Sequence, residues 1–179
     1  MKNIFSQYDN PTKFTWEKLG DIKEGRGDLG EDMPVLVYRL MQYTMLDVLS
    51  ESLGEEQANE YFRKAGFLAG TAFAQNTLDC KAEFKDFAAD LQKKLKELKI
   101  GILRIEEFNK DTGDIELTVG QDLDCSGLPD IGDTVCCYDE GFIAGILQVY
   151  SDKKYIVREI DCWANGDRVC RFRGTPEPD

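Results

Sequence analysis

The sequence predicts an α+β domain in which N-terminal helices pack on one face of an antiparallel sheet that carries one inserted helix. In the first half of the chain, three stretches place apolar residues three and four positions apart, which is typical of helices. In the second half, four short stretches are β-branched or alternating and are divided by turn signals. Helices followed by strands, instead of a regular alternation, favour the α+β class.

The N-terminal half divides into a polar arm and three helices. Residues 1–30 are polar and rich in glycine, so we expect an N-terminal arm and loop there, before a single domain at 31–179. Pro34 and Gly54 suit the start and the end of the first helix. The second helix follows directly in "EEQANEYFRKAGFLAGTAFAQNTL", and the third is predicted from about Cys80 to Lys99.

The C-terminal half contains the predicted strands "IGILRIEEFN", "DIELTVGQDL", "KKYIVREIDC" and "RVCRFRG". A helix, "DEGFIAGILQVYS", is inserted between the second and third strands. Two glycine pairs spaced by four, Gly66 with Gly70 and Gly141 with Gly145, lie within predicted helices. Because an interior glycine weakens a helix by about 1 kcal/mol relative to alanine, we expect these helices to pack closely.

The composition excludes several classes of protein. The chain has 179 residues and a net charge of −12, which disfavours binding to nucleic acid or to an anionic membrane. Its longest apolar runs are shorter than the roughly 20 residues of a spanning helix, and the first residues lack a signal-peptide pattern. We therefore expect a cytoplasmic protein. It has no histidine, which removes Ser-His and Cys-His catalytic sites and a histidine-ligated haem.

The stretch "REIDCWANGDRVCRF", residues 158–172, is the strongest candidate for a site. A hairpin turning at Asn165-Gly166 would bring Cys162 and Cys170 together near one end. Glu159 faces the opposite side of a regular strand from Cys162, so the strand must bulge for both to reach one point. Two thiolates and a carboxylate suit a tetrahedral zinc ion, which needs a fourth ligand to form a closed structural site.

The residues alone leave the fourth ligand open. Cys136 and Cys137 lie on a predicted strand, where only one of them can point inward. Cys125 can replace Cys136 if its loop folds over the hairpin; otherwise it and Cys80 are read as small buried hydrophobes. The alternative interpretation of the two hairpin cysteines is a pair of reduced, buried thiols.

The segment from Cys136 to Gly174 resembles the C-terminal signature of the 4-vinyl reductase domain family, and Met33 to Gly70 resembles its N-terminal half. That family includes hydrocarbon-binding domains and the sensory domains of phenol-responsive activators. The resemblance implies the fold of those sensors and of trafficking-complex subunits, with an internal apolar channel, in a homodimer. It also implies a structural zinc, with Cys137 as the alternate for its upstream cysteine. The implied zinc ligands are Cys136, Glu159, Cys162 and Cys170.

The predicted function is a non-enzymatic domain that binds a small hydrophobic or aromatic molecule and passes its output to another protein. The predicted pocket residues are Tyr38, Phe67, Phe142 and Val157. Two alternatives remain: an accessory enzyme or carrier in tetrapyrrole vinyl reduction, and a thiol redox sensor that releases zinc on oxidation. The absence of histidine and of a Gly-rich phosphate loop argues against catalysis.

Overall fold

The structure is a computed structural model that describes residues 13–178, and these residues form two compact units, 13–32 and 33–178. The first unit contains a 3-10 helix at Trp16–Leu19 and a short helix, α1, at Ile22–Gly25. The Asp21 carboxylate caps α1 by accepting a bond from the Glu24 N–H at 2.9 Å. Part of the predicted N-terminal arm, residues 1–12, lies outside the described residues.

The second unit confirms the predicted α+β class. Its four antiparallel strands form one sheet in the order β1-β2-β4-β3, and four helices complete the unit. The helices and strands are α2 at Val35–Leu53, α3 at Glu55–Thr77, α4 at Phe84–Glu97, β1 at Ile102–Phe108, β2 at Ile115–Gly120, α5 at Cys137–Ser151, β3 at Tyr155–Asp161 and β4 at Cys170–Pro176. All four predicted strands and the inserted helix are present.

The sheet buries one face against helices. Along β3 and β4, buried and accessible residues alternate, as the twofold period of a strand requires. Val157 and Phe172 are nearly inaccessible to solvent, and they belong to the apolar layer between the sheet and the helices. The opposite face carries charged pairs, including Arg171 with Glu116 at 2.8 Å. The alternation therefore fixes which side of the sheet can enclose a site.

Helices α3 and α5 pack backbone to backbone through the two predicted glycine pairs. A Cβ added at Gly66 would overlap the backbone oxygen of Tyr138, and one at Gly70 would overlap that of Phe142. In return, a Cβ at Gly141 would overlap the backbone oxygen of Arg63. The glycines thus permit an approach that any side chain would prevent, which confirms the expectation of close helix packing.

The structure corrects two local predictions. The third helix, α4, begins at Phe84 and not near Cys80, because the Asp79 carboxylate accepts a bond from the Lys81 N–H and holds a turn there. Cys136 and Cys137 do not lie on a strand. Cys136 precedes α5 and Cys137 is its first residue, so helical geometry and not strand alternation separates their side chains.

Helix α2 presents most of its apolar side chains to solvent. Leu36 is 68% exposed and Leu40 is 57% exposed, although their spacing is that of an ordinary buried helix face. The other strongly exposed apolar residues of this face are Val37, Met41, Met45 and Val48. Among the described residues, no helix is both long enough and apolar enough to cross a membrane.

The close α3–α5 packing generates a test. We expect Gly141→Ala to lower the free energy of unfolding by about 3 kcal/mol or more, because the added methyl group forces two backbones apart. The matched control is Gly25→Ala, where a Cβ meets nothing within 4 Å. Chemical denaturation measures both variants, and equal stability of the two would contradict the packing described above.

Candidate functional site

Four cysteines from three separate parts of the chain converge beside the sheet. Cys125 comes from the loop between β2 and α5, and Cys136 is the residue before α5. Cys162 follows β3, and Cys170 begins β4. All four are fully buried, and their Sγ atoms lie within 4.8 Å of one another. We call this group the cysteine cluster.

The sulfur atoms of the cysteine cluster are in contact without being bonded to one another. The Sγ of Cys136 lies 3.9 Å from that of Cys162 and 3.8 Å from that of Cys170, and the Cys125–Cys170 separation is 3.0 Å. Hydrogen bonding with Cys125 lowers the pKa of Cys162 and raises the pKa values of Cys136 and Cys170. One thiolate stabilised by neighbouring thiols is the form in which soft metal ions are bound.

The β3–β4 hairpin supplies two of these cysteines through a turn and a bulge. Its strands pair in antiparallel register, and the register shifts between Glu159 and Asp161, where the sequence required a bulge. The turn is closed by Gly166, whose φ of 100° favours glycine. The Cys162 N–H donates to the Asn165 side chain at 3.0 Å, which fixes the cysteine against the turn. The predicted hairpin and bulge are confirmed.

The loop after β2 folds over this hairpin and brings in Cys125. The N–H groups of Ile131 and Gly132 both donate to the Ala164 carbonyl, at 2.8 and 3.1 Å. The Trp163 indole N–H donates to the Leu128 carbonyl at 3.0 Å. Cys125 therefore joins the cluster in addition to Cys136, where the sequence had offered it only as a replacement.

The polar face of α2 holds the same loop from the other side. The Tyr38 hydroxyl and the Gln42 amide each donate to the Asp124 carboxylate at 2.8 Å. The Arg39 guanidinium donates to the carbonyl of Leu123 at 2.8 Å. Burial and the Asp124 charge raise the pKa of the Tyr38 phenol, so it remains a hydrogen-bond donor. Cys125 is thus fixed between α2 and the hairpin.

Glu159 lies next to the cysteine cluster. Its Oε2 accepts a bond from the Cys136 N–H at 3.0 Å, while its Oε1 is buried without a partner among the described residues. Burial raises the pKa of this carboxyl to about 8. A second buried carboxylate, Glu140, accepts the Glu159 N–H at 2.8 Å and pairs with Arg63 of α3. These contacts join α3, α5 and β3 directly beside the cysteines.

An apolar cavity of about 40 Å³ lies between α4, α5 and the sheet. A single water needs about 10–15 Å³, so this space is larger than a water site. Its apolar lining includes Phe87 and Ala88 of α4 and Ile146 of α5. Its polar residues are Asp122 and Asp139, which lie close to Cys136.

The structure distributes the four predicted pocket residues over different places. Phe142 lines the apolar cavity. Phe67 and Val157 line a separate open groove that also contains charged side chains such as Lys64. Tyr38 lines neither space and instead binds Asp124.

Residues 115–176, which contain the whole cysteine cluster, match the family model of the 4-vinyl reductase domain. The chain carries a 4-vinyl reductase domain. The match confirms the resemblance for the C-terminal part of the chain, and a relative of this 4-vinyl reductase domain protein extends the similarity into the helical part. The uncharacterized protein MJ1642 of Methanocaldococcus jannaschii is 29% identical over 145 residues, which cover 81% of this chain and 79% of the relative.

Two solved structures share the fold of the 4-vinyl reductase domain chain. The phenol-responsive sensory domain of the transcription activator PoxR, crystallised with phenol, has a TM-score of 0.62 at 18% identity and covers 82% of this chain and 77% of its own. A trafficking protein particle complex subunit 3 from Naegleria fowleri, covalently bound to palmitic acid, has a TM-score of 0.57 at 19% identity and covers 81% and 98%. The predicted sensor-like and trafficking-subunit-like fold is confirmed.

Sequence reasoning missed the buried carboxyl groups of this 4-vinyl reductase domain. Asp122 and Asp124 are each under 5% exposed, and burial together with the Asp124 charge raises the pKa of Asp122 to about 7. Burial also raises the pKa of Asp139 well above its ordinary value. The only sequence signal was the position of these acids directly before Cys125 and inside the "CCYDEGF" motif.

Proposed function

We propose that this protein is a non-enzymatic domain that binds a small apolar molecule and is stabilised by a structural zinc ion. The observation that carries the proposal is the apolar cavity whose polar end adjoins the cysteine cluster. The family match and the fold shared with a phenol-binding sensory domain support it. Six unpaired cysteines suit a reducing compartment such as the cytoplasm.

The donor set of the cysteine cluster fits zinc. Zinc–sulfur bonds of about 2.3 Å in a tetrahedron give sulfur–sulfur edges of about 3.8 Å. The Cys136–Cys162 and Cys136–Cys170 separations are 3.9 and 3.8 Å. Four protein ligands leave no open position for water or substrate, so the ion would be structural and would add its binding free energy to folding.

We propose that the four cysteines hold the ion, with Glu159 outside the ligand set. Its Oε2 binds the N–H of Cys136, an arrangement that orients a ligand without contacting the metal. The set predicted from sequence differs at one place, since there Glu159 occupies the position that we assign to Cys125.

The zinc content of two variants tests this assignment. We expect Cys125→Ser to lose the zinc and to melt at a much lower temperature, because a ligand of the folded state is removed. We expect Glu159→Gln to keep one zinc per chain. Native mass spectrometry of the purified proteins measures the stoichiometry. Loss of zinc from Glu159→Gln with retention in Cys125→Ser would instead support the set predicted from sequence.

The apolar cavity is the proposed ligand site. Its lining is dominated by aromatic and aliphatic side chains of α4, α5, β1 and β2, the composition of small-molecule pockets. The fold neighbours bind phenol and palmitic acid, two ligands with apolar bodies. A ligand that enters from water gains the free energy of burying its apolar surface.

Two alanines adjacent on α4 provide the test of this site. Ala88 is buried and lines the cavity, whereas Ala89 is exposed. We expect Ala88→Met to fill the space and to lower the affinity for ethylbenzene by about tenfold or more, and Ala89→Met to leave it unchanged. Isothermal titration calorimetry measures both. Equal affinities of the two variants would place the ligand elsewhere.

We propose that the exposed apolar face of α2 is covered by a second copy of the chain. The residues of this face occupy the side of the helix opposite Tyr38, Arg39 and Gln42, which bind the loop of Cys125. A continuous stripe of exposed apolar side chains is typical of an interaction surface. A homodimer, with or without a further protein partner, removes it from water.

One charge on this face tests the dimer. We expect Leu40→Glu to run as a monomer of 20.3 kDa, because a twofold interface would bring two carboxylates together, while the native chain runs at twice that mass. The control is Leu98→Glu, at an apolar residue that is 58% exposed just after α4. Sedimentation equilibrium gives the masses, and a native monomer would refute the proposed dimer.

A further inference from the structure

The polar end of the cavity offers hydrogen-bond acceptors to an occupant. Asp122, on the loop after β2, is 3% exposed, and its Oδ1 accepts bonds from the N–H groups of Asp124 at 2.8 Å and Cys125 at 3.2 Å. Those bonds fix the carboxyl group in place. Asp139, in the first turn of α5, also lines the cavity.

Asp139 is the acceptor that lacks a partner. Its Oδ2 atom is enclosed by protein and receives no hydrogen bond from the described residues. An enclosed carboxyl oxygen without a donor is costly, and buried polar atoms in folded proteins nearly always have one. The cavity in front of it is the space from which a donor can come.

The lining of the cavity leaves the donor to the ligand. Apart from the two carboxyl groups, every residue that lines the space is aromatic or aliphatic, so the side chains around it offer no hydrogen-bond donor. A suitable ligand therefore has an apolar body and a head group that donates. A primary ammonium fits best, because it has three donors, no acceptor and a positive charge opposite two carboxyl groups.

We propose that the cavity binds an apolar primary amine, with its ammonium group on Asp139 and Asp122 and its body between α4, α5 and the sheet. This inference rests on the proposed ligand site and adds the chemical class of the ligand. An aliphatic or aromatic carboxylate is excluded, because its charge would face two carboxyl groups in an apolar surrounding. A plain hydrocarbon fills the space but leaves the Asp139 oxygen without a donor.

A matched series of ligands tests the proposal on the full-length, zinc-loaded protein. The probes are benzylamine, ethylbenzene and benzoate, which share one ring size and differ in the head group. We expect benzylamine to bind about tenfold or more tightly than ethylbenzene, and benzoate not to bind, in calorimetric titrations at pH 7.

Two variants assign that preference to the carboxyl group. Asp139→Asn should reduce the preference for benzylamine to about twofold or less, while ethylbenzene binding and the content of one zinc per chain stay unchanged. The control is Asp86→Asn, which removes a carboxylate from the exposed side of the first turn of α4. It should leave all three affinities as they are.

The outcomes separate this proposal from the ligand site itself. Equal affinities for benzylamine and ethylbenzene, or an unaltered preference in Asp139→Asn, would overturn the amine assignment and leave the apolar site standing. Failure of all three probes to bind would overturn both. Loss of zinc from Asp139→Asn would assign this carboxyl group to the metal centre and would also overturn the proposal.

Discussion

The direct contact between the backbones of α3 and α5 is the constraint on which the rest of the second unit depends. Four glycines allow it, and it fixes where the N-terminal end of α5 lies. That end carries Cys136, Asp139 and Glu140, so a single helix contact positions a member of the cysteine cluster, an acid of the cavity and the carboxylate that binds β3. The pairing of Glu140 with Arg63 joins the same two helices by charge.

The cysteine cluster is assembled from segments with little regular structure of their own. The chain between β2 and α5 is irregular, and its bonds go to the hairpin turn on one side and to α2 on the other. Ordering such a loop costs about 1–2 kcal/mol per residue in backbone entropy. Buried hydrogen bonds and four convergent thiols are therefore concentrated where the fold needs the most compensation.

Much of this architecture follows from local sequence patterns. The alternation of β3 and β4, the turn glycine at 166 and the glycine pairs of α3 and α5 each demand one geometry, so their outcome was predictable. The bulge near Glu159 was predictable for the same reason, because a straight strand separates Glu159 from Cys162. These are short-range constraints, and the sequence states them directly.

The features that could not be predicted depend on contacts between distant segments. The place of Cys125 is set by bonds to the Ala164 carbonyl and by the contact of α2 with Asp124, which no local pattern encodes. Asp139 sits in the first turn of a helix, where an acid is ordinary, so its lack of a partner emerges only in three dimensions. The apolar spacing of α2 is the same whether that face meets a core or solvent.

The two faces of α2 have a thermodynamic consequence. One face is bonded to the loop that carries Cys125, and the other is apolar and exposed. Any molecule that covers the apolar face and shifts the helix must also shift Asp124 and, through the next residue, a thiol of the cluster. Linkage is reciprocal, so an ion that orders the cluster favours the same placement of α2 by the same free energy. A single helix thus places its outer surface and the four thiols in one equilibrium.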